Sequence, residues 1–353
     1  MGTNHGGVDA GGGVDVVALP AEAEALAGEQ IAAFVVGAAV WAPSLHNTQP
    51  WLFGTDGQEL SLYADGGRQL MAADPAGRQM LISCGAALFT ARLAVWSAGR
   101  IPQTQILPDP ADPLLVARLG WSGRAAPADY ERQLFDQVLR RRTHRGGFDP
   151  LPLAPGLLAV LQAGARRDGA QLRIITDQAA AAMLAAAVQT AEQTLRLDSL
   201  RVQEMAAWVS PPGSPRRDGL PATSYPARPA HTFPDFPGRD FARGRGWGLP
   251  PTSADTAARS AGAICLLTTA DDRPADWVNA GQALQRILLP STAYGVAAVL
   301  HSQPLELSWL REFIRTELSG GSYPQLLLRL GTVTQTAASV RRPAASVLFQ
   351  HGN

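Results

Sequence analysis

The stretch Ala76 to Ser97 reads "AGRQMLISCGAALFTARLAVWS" and ends before Gly99 and Pro102. It is a long helix with apolar side chains over much of its surface. Such a helix is stable in water only when other elements enclose it. A second apolar run, "IAAFVVGAAV", lies upstream inside a helix expected over Glu22 to Val40. From Ile31 to Pro43 that run is too short to span a bilayer. The chain therefore has to build layers around buried helices.

The remaining elements supply those layers. "WLFGTDGQELSLYAD" reads as a hairpin around a Thr-Asp-Gly turn. "LLVARLGW" reads as a strand, and Asp129 to Arg141 as an amphipathic helix running into "RRRTHRGGFDP". The second half repeats the rhythm, with a helix over Ala154 to Ala165, a strand "QLRIIT" and a long helix over Asp177 to Trp208. A buried strand "GAICLLTT" and the helix "DWVNAGQALQRILLPSTAYG" follow. Then come "VAAVLHSQP", the helix "LELSWLREFIRTEL" and the strand "YPQLLLRLG". This predicts an α+β fold made of two similar units. The Pro-, Gly- and Arg-rich segment 210–253 is too long for an ordinary connection. It is read as a lid-like insertion, because "HTFPDF" and "RGWG" carry aromatics able to pack down. The glycine-rich residues 1–20 are read as a disordered tail without the pattern of a secretion signal.

Composition narrows the chemistry. All 30 basic residues are arginine and the 30 acidic residues balance them. Without lysine there is no Schiff-base catalysis and no Gly-Lys-Ser/Thr phosphate loop. Any bound anion must be held by guanidinium, hydroxyl or backbone N–H groups. The balanced charge points to neither nucleic acid nor an anionic membrane. The arginine-glycine run "RGRGWG" reads as a surface loop, with an RNA-contacting element as the alternative. Cys84 and Cys265 lie far apart in apolar stretches and read as buried thiols of a cytoplasmic protein. The six histidines lack metal-ligand spacing, and there is no Gly-x-Ser-x-Gly elbow.

Two stretches are dense in binding groups. In "WAPSLHNTQPW", Ser44, His46, Asn47, Thr48 and Gln49 offer donors and acceptors on a backbone stiffened by Pro43 and Pro50. The array suits a planar heterocycle, and equally a capped turn between helix and strand. In "RRRTHR", arginines alternating about Thr143 can converge on a phosphate, but the motif taken alone reads sooner as a solvated cationic helix end. "VRRP", with Arg341 and Arg342, is a weaker signal of the same kind.

Together these motifs resemble the FMN-dependent nitroreductase superfamily. "APSLHNTQPW" resembles its Ala-Pro-Ser-x-x-Asn-x-Gln-Pro-Trp signature, and "RRTHR" its Arg-x-Ser/Thr-x-Arg/Lys motif. "WVNAGQALQRILLPSTAYGVAAVLHSQPLE" and "PQLLLRLG…RRP" resemble its later helix, strands and tail. The whole pattern, over roughly residues 25 to 348, is similar to the Acg family of actinobacteria. The resemblance implies a nitroreductase-like fold of two tandem degenerate units, 21–138 and 139–353, forming an intramolecular pseudo-dimer. The first half lacks the arginine motif and the second lacks the Pro-Ser motif, which implies one complete composite site in a monomer. It implies FMN held by Arg141, Thr143 and Arg145, with Arg341 or Arg342 adding charge. Pro43, Ser44, Leu45, Asn47 and Gln49 would come from the first half, and the backbone of Leu305, Glu306 and Leu307 would approach the flavin ring. His46 and His144 are the weakest candidates. Leu307 stands where relatives often carry glycine, and Arg201 is the candidate substitute for a lysine they often place beside the ring. The implied activity is hydride transfer from NAD(P)H through FMN to a nitroaromatic, quinone or similar small-molecule acceptor. The alternatives are a protein that sequesters flavin beneath a lid, and a structural or partner-binding α+β protein without flavin.

Overall fold

The computed structural model describes residues 28–229, 231–250, 259–333 and 337–351. The expected tail lies outside the described residues, as do the first residues of the expected first helix. Helix α1 (Gly28–Ala39) ends ahead of Pro43. Strands β1 (Trp51–Thr55) and β2 (Glu59–Ala64) form the expected hairpin, with Trp51 opposite Ala64 and Thr55 opposite Leu60. Asp56 holds its turn, Oδ1 accepting from the N–H groups of Gln58 and Glu59 at 2.8 and 2.9 Å. Helix α2 (Arg78–Ser97) is buried along nearly its whole length, as its composition requires.

Strand β3 (Ile101–Ile106) was not expected, because "IPQTQI" is half polar and contains a proline. It forms the edge of its sheet, where a proline such as Pro102 is tolerated because its missing N–H faces away from the neighbouring strand. Strand β4 (Leu115–Ser122) pairs with β2 and β3. Helix α3 (Asp129–Phe135) is shorter than expected; the chain continues in turns to the arginine motif.

The second half runs through α4 (Leu157–Arg167), β5 (Gln171–Ile175), α5 (Gln178–Leu197) and α6 (Ser199–Ala207). The helix expected over Asp177 to Trp208 is thus two. Asp198 breaks it, with an extended backbone and a carboxylate that accepts from Leu200 N and Arg201 N at 3.0 and 3.2 Å. An aspartate stabilises a helix start better than a helix interior. Short strands β6 (Thr232–Phe233) and β7 (Arg259–Ser260) pair with each other. Then come β8 (Ala263–Thr269), α7 (Pro274–Ala293), β9 (Val296–His301), α8 (Gln303–Glu306) and α9 (Ser308–Phe313), the last prolonged by a π-helical turn. Strands β10 (Tyr323–Thr332) and β11 (Leu348–Gln350) complete the described elements.

Two main sheets result. The first has the order β11-β1-β2-β4-β3, so the end of the chain returns to pair in parallel with β1. The second is antiparallel, in the order β5-β8-β10-β9. Its central strands are buried on both faces by simple alternation. Cys265, Leu267, Leu326, Leu328 and Leu330 join the core containing α4 and α7. Ile264, Leu266 and Leu327 join the core containing α5 and α9.

Helices α2 and α7 cross at the centre. Gly85 and Gly281 make the close approach possible: a Cβ on Gly281 would run into the Ile82 carbonyl oxygen, and one on Gly85 into that of Val278. Val278 of α7 joins the core formed by α1, α2 and the first sheet, and Ile82 of α2 joins the core containing α4 and α7, so the halves share their interiors. Glycine to alanine inside a helix ordinarily adds about 1 kcal/mol of stability. At Gly85 and Gly281 the sign should reverse, because overpacking against backbone costs about 1–3 kcal/mol. Chemical denaturation of Gly281→Ala and Gly85→Ala checks this; stability at or above that of the unaltered protein would refute the crossing.

Candidate functional site

The loop after α1 is a strained turn. Ser44 Oγ accepts from Gln49 N at 2.9 Å, and the Ser44 and Leu45 carbonyls accept from Asn47 N and Thr48 N, both at 3.0 Å. His46, Asn47 and Gln49 all have positive φ, near 49°, 55° and 51°. Non-glycine residues are uncommon there, and such strain persists only where the surroundings over-determine it. The surroundings do. Asn47 Nδ2 donates to the carbonyls of Gly219 (2.9 Å) and Val340 (3.1 Å), and its Oδ1 accepts from Arg341 (3.0 Å). Gln49 donates to Arg217 O at 2.9 Å and accepts from Arg342 N at 2.8 Å.

This turn forms one wall of a cleft with an empty volume of about 880 Å³, part of it open to solvent. Pro43, Ser44, Leu45 and His46 line one side; Thr143, His144 and Arg145 line another. Gln79, Ile82 and Ser83 of α2 and Leu284 of α7 contribute from the central crossing. Leu300 and His301 of β9, with Ser302 and Gln303, form a further wall. The two stretches singled out in the sequence, about a hundred residues apart, thus meet in one site. A smaller cavity adjoins them, sharing Pro43, Ser44, Thr143 and Arg145 and adding Asn47, Arg142, Ser339 and Arg341.

The arginine motif divides its labour. Arg141 is buried and points back at α1, donating to Trp41 O at 3.0 Å. Arg341 donates to the same carbonyl at 3.2 Å and to Ala42 O at 3.4 Å. These two guanidiniums satisfy carbonyls just beyond the end of α1, where cations are favoured. Arg142 lies over the Trp41 ring, 5.0 Å from its centroid. Arg145 donates to Ser224 O at 2.9 Å and lines both cavities. Among the described residues none of these four arginines has a carboxylate partner. Burial, and then the neighbouring charges of Arg142 and Arg145, push Arg141 down to about 9. Burial pushes Arg145 down to about 10, and burial with the other three guanidiniums holds Arg341 well below the usual arginine range. The concentration of positive charge can be relieved by an anion.

Two buried histidines border the cleft. His46 Nε2 accepts from Arg239 at 3.1 Å, and His301 Nε2 accepts from Arg329 Nε at 2.9 Å. Burial first, and the nearby guanidiniums second, hold both pKa values well below that of an ordinary histidine.

Several expected residues sit elsewhere. Gln49 and Arg342 fasten the turn to the tail and do not line the cleft. Leu305 is turned into the core, with its carbonyl taken by Arg78 at 3.2 Å. Leu307 packs against that core, while Glu306 accepts from Arg239 at 2.9 Å and Arg201 at 3.4 Å. The preceding residues His301, Ser302 and Gln303 occupy the cleft wall in their place. Arg201, held by Glu306 and Asp198, borders a separate chamber beyond His46 and Arg239. The sequence reading missed Gln79, Arg142, Arg239 and His301, whose roles depend on which elements cross. The insertion does reach the site: Leu220, Gly238, Arg239 and Phe241 line the cleft. Of the flagged aromatics Phe236 is fully buried, whereas Phe233 stays exposed. The run Arg243 to Gly248 is surface loop, as expected.

No family model matches the chain. A Mycobacterium tuberculosis H37Rv protein whose name places it among the NAD(P)H nitroreductases is 35% identical over 299 residues, 84% of this chain and 83% of that protein. The M. tuberculosis protein named Acg, also placed by name among the NAD(P)H nitroreductases, is 30% identical over 320 residues, 87% of this chain and 91% of its own. Among solved structures, an FMN and NADPH-dependent nitroreductase from Sphingopyxis sp. strain HMH is 16% identical, covering 62% of this chain and 99% of its own with a TM-score of 0.38. A nitroreductase with bound FMN from Desulfitobacterium hafniense is 15% identical, covering 62% and 97%, with a TM-score of 0.35. Likenesses that low carry no argument, so the assignment rests on the sequence relatives. By its 35% and 30% identity to proteins it matches over most of their length, the chain belongs to the NAD(P)H nitroreductase family and, within it, to the Acg group.

Proposed function

We propose that the cleft binds FMN and that the protein is a nitroreductase-type oxidoreductase, taking hydride from NAD(P)H and passing electrons to a nitroaromatic, quinone or similar acceptor. The observation that carries this reading is the group of buried and half-buried arginines, Arg142, Arg145 and Arg341, which have no carboxylate partners among the described residues and line the small cavity that adjoins the larger, mostly apolar cleft. A phosphate fits the first and a planar heterocycle the second. The donor set agrees: among the described residues Gln79 Nε2, on an amide that lines the cleft, and Arg341 Nε are buried without a hydrogen-bond partner. Bound FMN supplies the redox chemistry. The chain's own residues bind and orient it, Arg145, Arg341 and Thr143 at the phosphate end and Pro43, Ser44 and Leu45 along the ring. Asn47 and Gln49 act at one remove by fixing the turn, and Arg141 by holding the end of α1. Because residues 21–138 and 139–353 each supply half of this site, a monomeric pseudo-dimer is sufficient.

A second reading, flavin sequestration with little turnover, is favoured by the insertion. Asn47 and Gly219 are joined by paired hydrogen bonds, and Arg239 spans from His46 to Glu306. A segment held this way restricts entry from solvent. An absorbance spectrum followed by anaerobic NADH and NADPH separates the readings. Flavin bands that bleach within seconds support the reductase. Flavin that stays oxidised supports sequestration, and no flavin even after adding FMN refutes both.

Arg145→Ala should weaken FMN binding by about 2 kcal/mol, the scale of a charge-assisted hydrogen bond. Undiminished flavin occupancy in a folded variant would remove Arg145 from the phosphate end. A pH effect follows from the histidines. Both are held neutral in the fold, while in the unfolded chain each protonates near 6.5. Below that pH the unfolded state binds protons that the folded state refuses, so stability is complete above about 6.5 and lost as pH falls. Thermal melts from pH 7.5 to 5 should show this decline, and it should shrink in His46→Gln and His301→Gln.

A further inference from the structure

Arg329 is a costly group whose position the binding of FMN phosphate does not explain. It is buried in β10, lines neither cavity, and among the described residues has no carboxylate within ion-pair distance, the charge of Asp235 acting on it only from further away. Its guanidinium lies between two rings, 5.5 Å from the centroid of Phe148 and 5.1 Å from that of Phe236. Gly262 and Gly331 make room for Phe148: a Cβ on either would strike its ring. Enclosing a cation this way is expensive unless its hydrogen bonds are well placed. One goes from NH1 to Ala261 O at 3.0 Å, and the other from Nε to His301 Nε2 at 2.9 Å. A guanidinium has only donors, so His301 Nε2 must be the lone-pair nitrogen. Burial keeps the ring neutral, and its one proton therefore sits on Nδ1. Phe236 packs on the same imidazole, 5.6 Å between centroids, and fixes its plane. No described residue takes a hydrogen bond from Nδ1, and the ring lines the cleft. The buried arginine, two aromatics and two glycines thus hold one neutral donor at the wall of the cleft.

We propose that His301 Nδ1–H donates a hydrogen bond to an sp² acceptor, a carbonyl oxygen or ring nitrogen, on the edge of the heterocycle bound in the cleft, and that Arg329 is the positioning residue that sets its tautomer. This rests on the flavin reading of the cleft. Two substitutions separate the roles. In His301→Gln the amide reaches the Nε2 position and can still accept from Arg329, but the δ donor is lost. In His301→Asn the amide nitrogen keeps a donor near the δ position, and Arg329 loses its acceptor. The probe is FMN added to flavin-free protein, followed by fluorescence quenching and the visible absorption band, with a melt of each variant. His301→Gln should melt near the unaltered protein yet bind FMN about fivefold more weakly, with a shifted band. His301→Asn should melt lower and retain the band position. Equal FMN affinity and an unshifted band in His301→Gln would overturn the proposal and leave His301 as a partner for Arg329 only. ¹⁵N spectra of histidine-labelled protein give a readout independent of FMN, and protonation at Nε2 would also overturn it. If the unaltered protein binds no FMN, the flavin reading fails, and the proposal with it.

Discussion

The crossing of α2 and α7 at Gly85 and Gly281 is the constraint on which the rest of the molecule depends. Two helix backbones approach there because neither presents a side chain, and each helix then delivers residues into the other half's core. The crossing also sets the base of the cleft, since Gln79, Ile82 and Ser83 of α2 and Leu284 of α7 face into it. Widening the crossing by a methyl group would move the cleft as well as the core, because close-packed interiors pass displacement on.

Around that crossing polar and charged side chains work as fasteners with direction. Arg141 and Arg341 cap the end of α1, Asn47 ties the turn to the insertion and the tail, and Arg239 joins the insertion to Glu306 and His46. In a chain without lysine every such cation is arginine, whose rigid fork can hold two carbonyls at once. The positive φ values at His46, Asn47 and Gln49 are tolerated because these fasteners converge on that turn.

Much of the fold was legible in the sequence where one period or one breaker decided it. The hairpin at Thr55-Asp56-Gly57, the buried α2, the buried strand β8 and the strand β10 follow from local pattern. The errors fell where a local preference met a tertiary demand. Asp198 split a continuous helical pattern because its carboxylate caps the next helix. The polar strand β3 formed because an edge position accepts Pro102. At the site, the motif around Pro43–Ser44 and the arginines after Arg140 were readable as binding groups. Their division into lining residues and fasteners was not, because it turns on which carbonyl each guanidinium meets.

The sequence alone determined that the chain is a layered α+β protein with enclosed helices, an arginine-only basic complement and two motifs of the nitroreductase kind. Those properties are local: periodicity, composition and motif spacing. Only the tertiary structure decided that Arg145 lines the cleft while Arg141 turns to α1, and that His301 and Gln303 occupy the wall expected of Leu305 to Leu307. Only it showed that segment 210–250 contributes Arg239 and Phe241 to the site. The reason is physical. A side chain's role depends on the partner within hydrogen-bond reach, and for these residues that partner lies tens to hundreds of positions away.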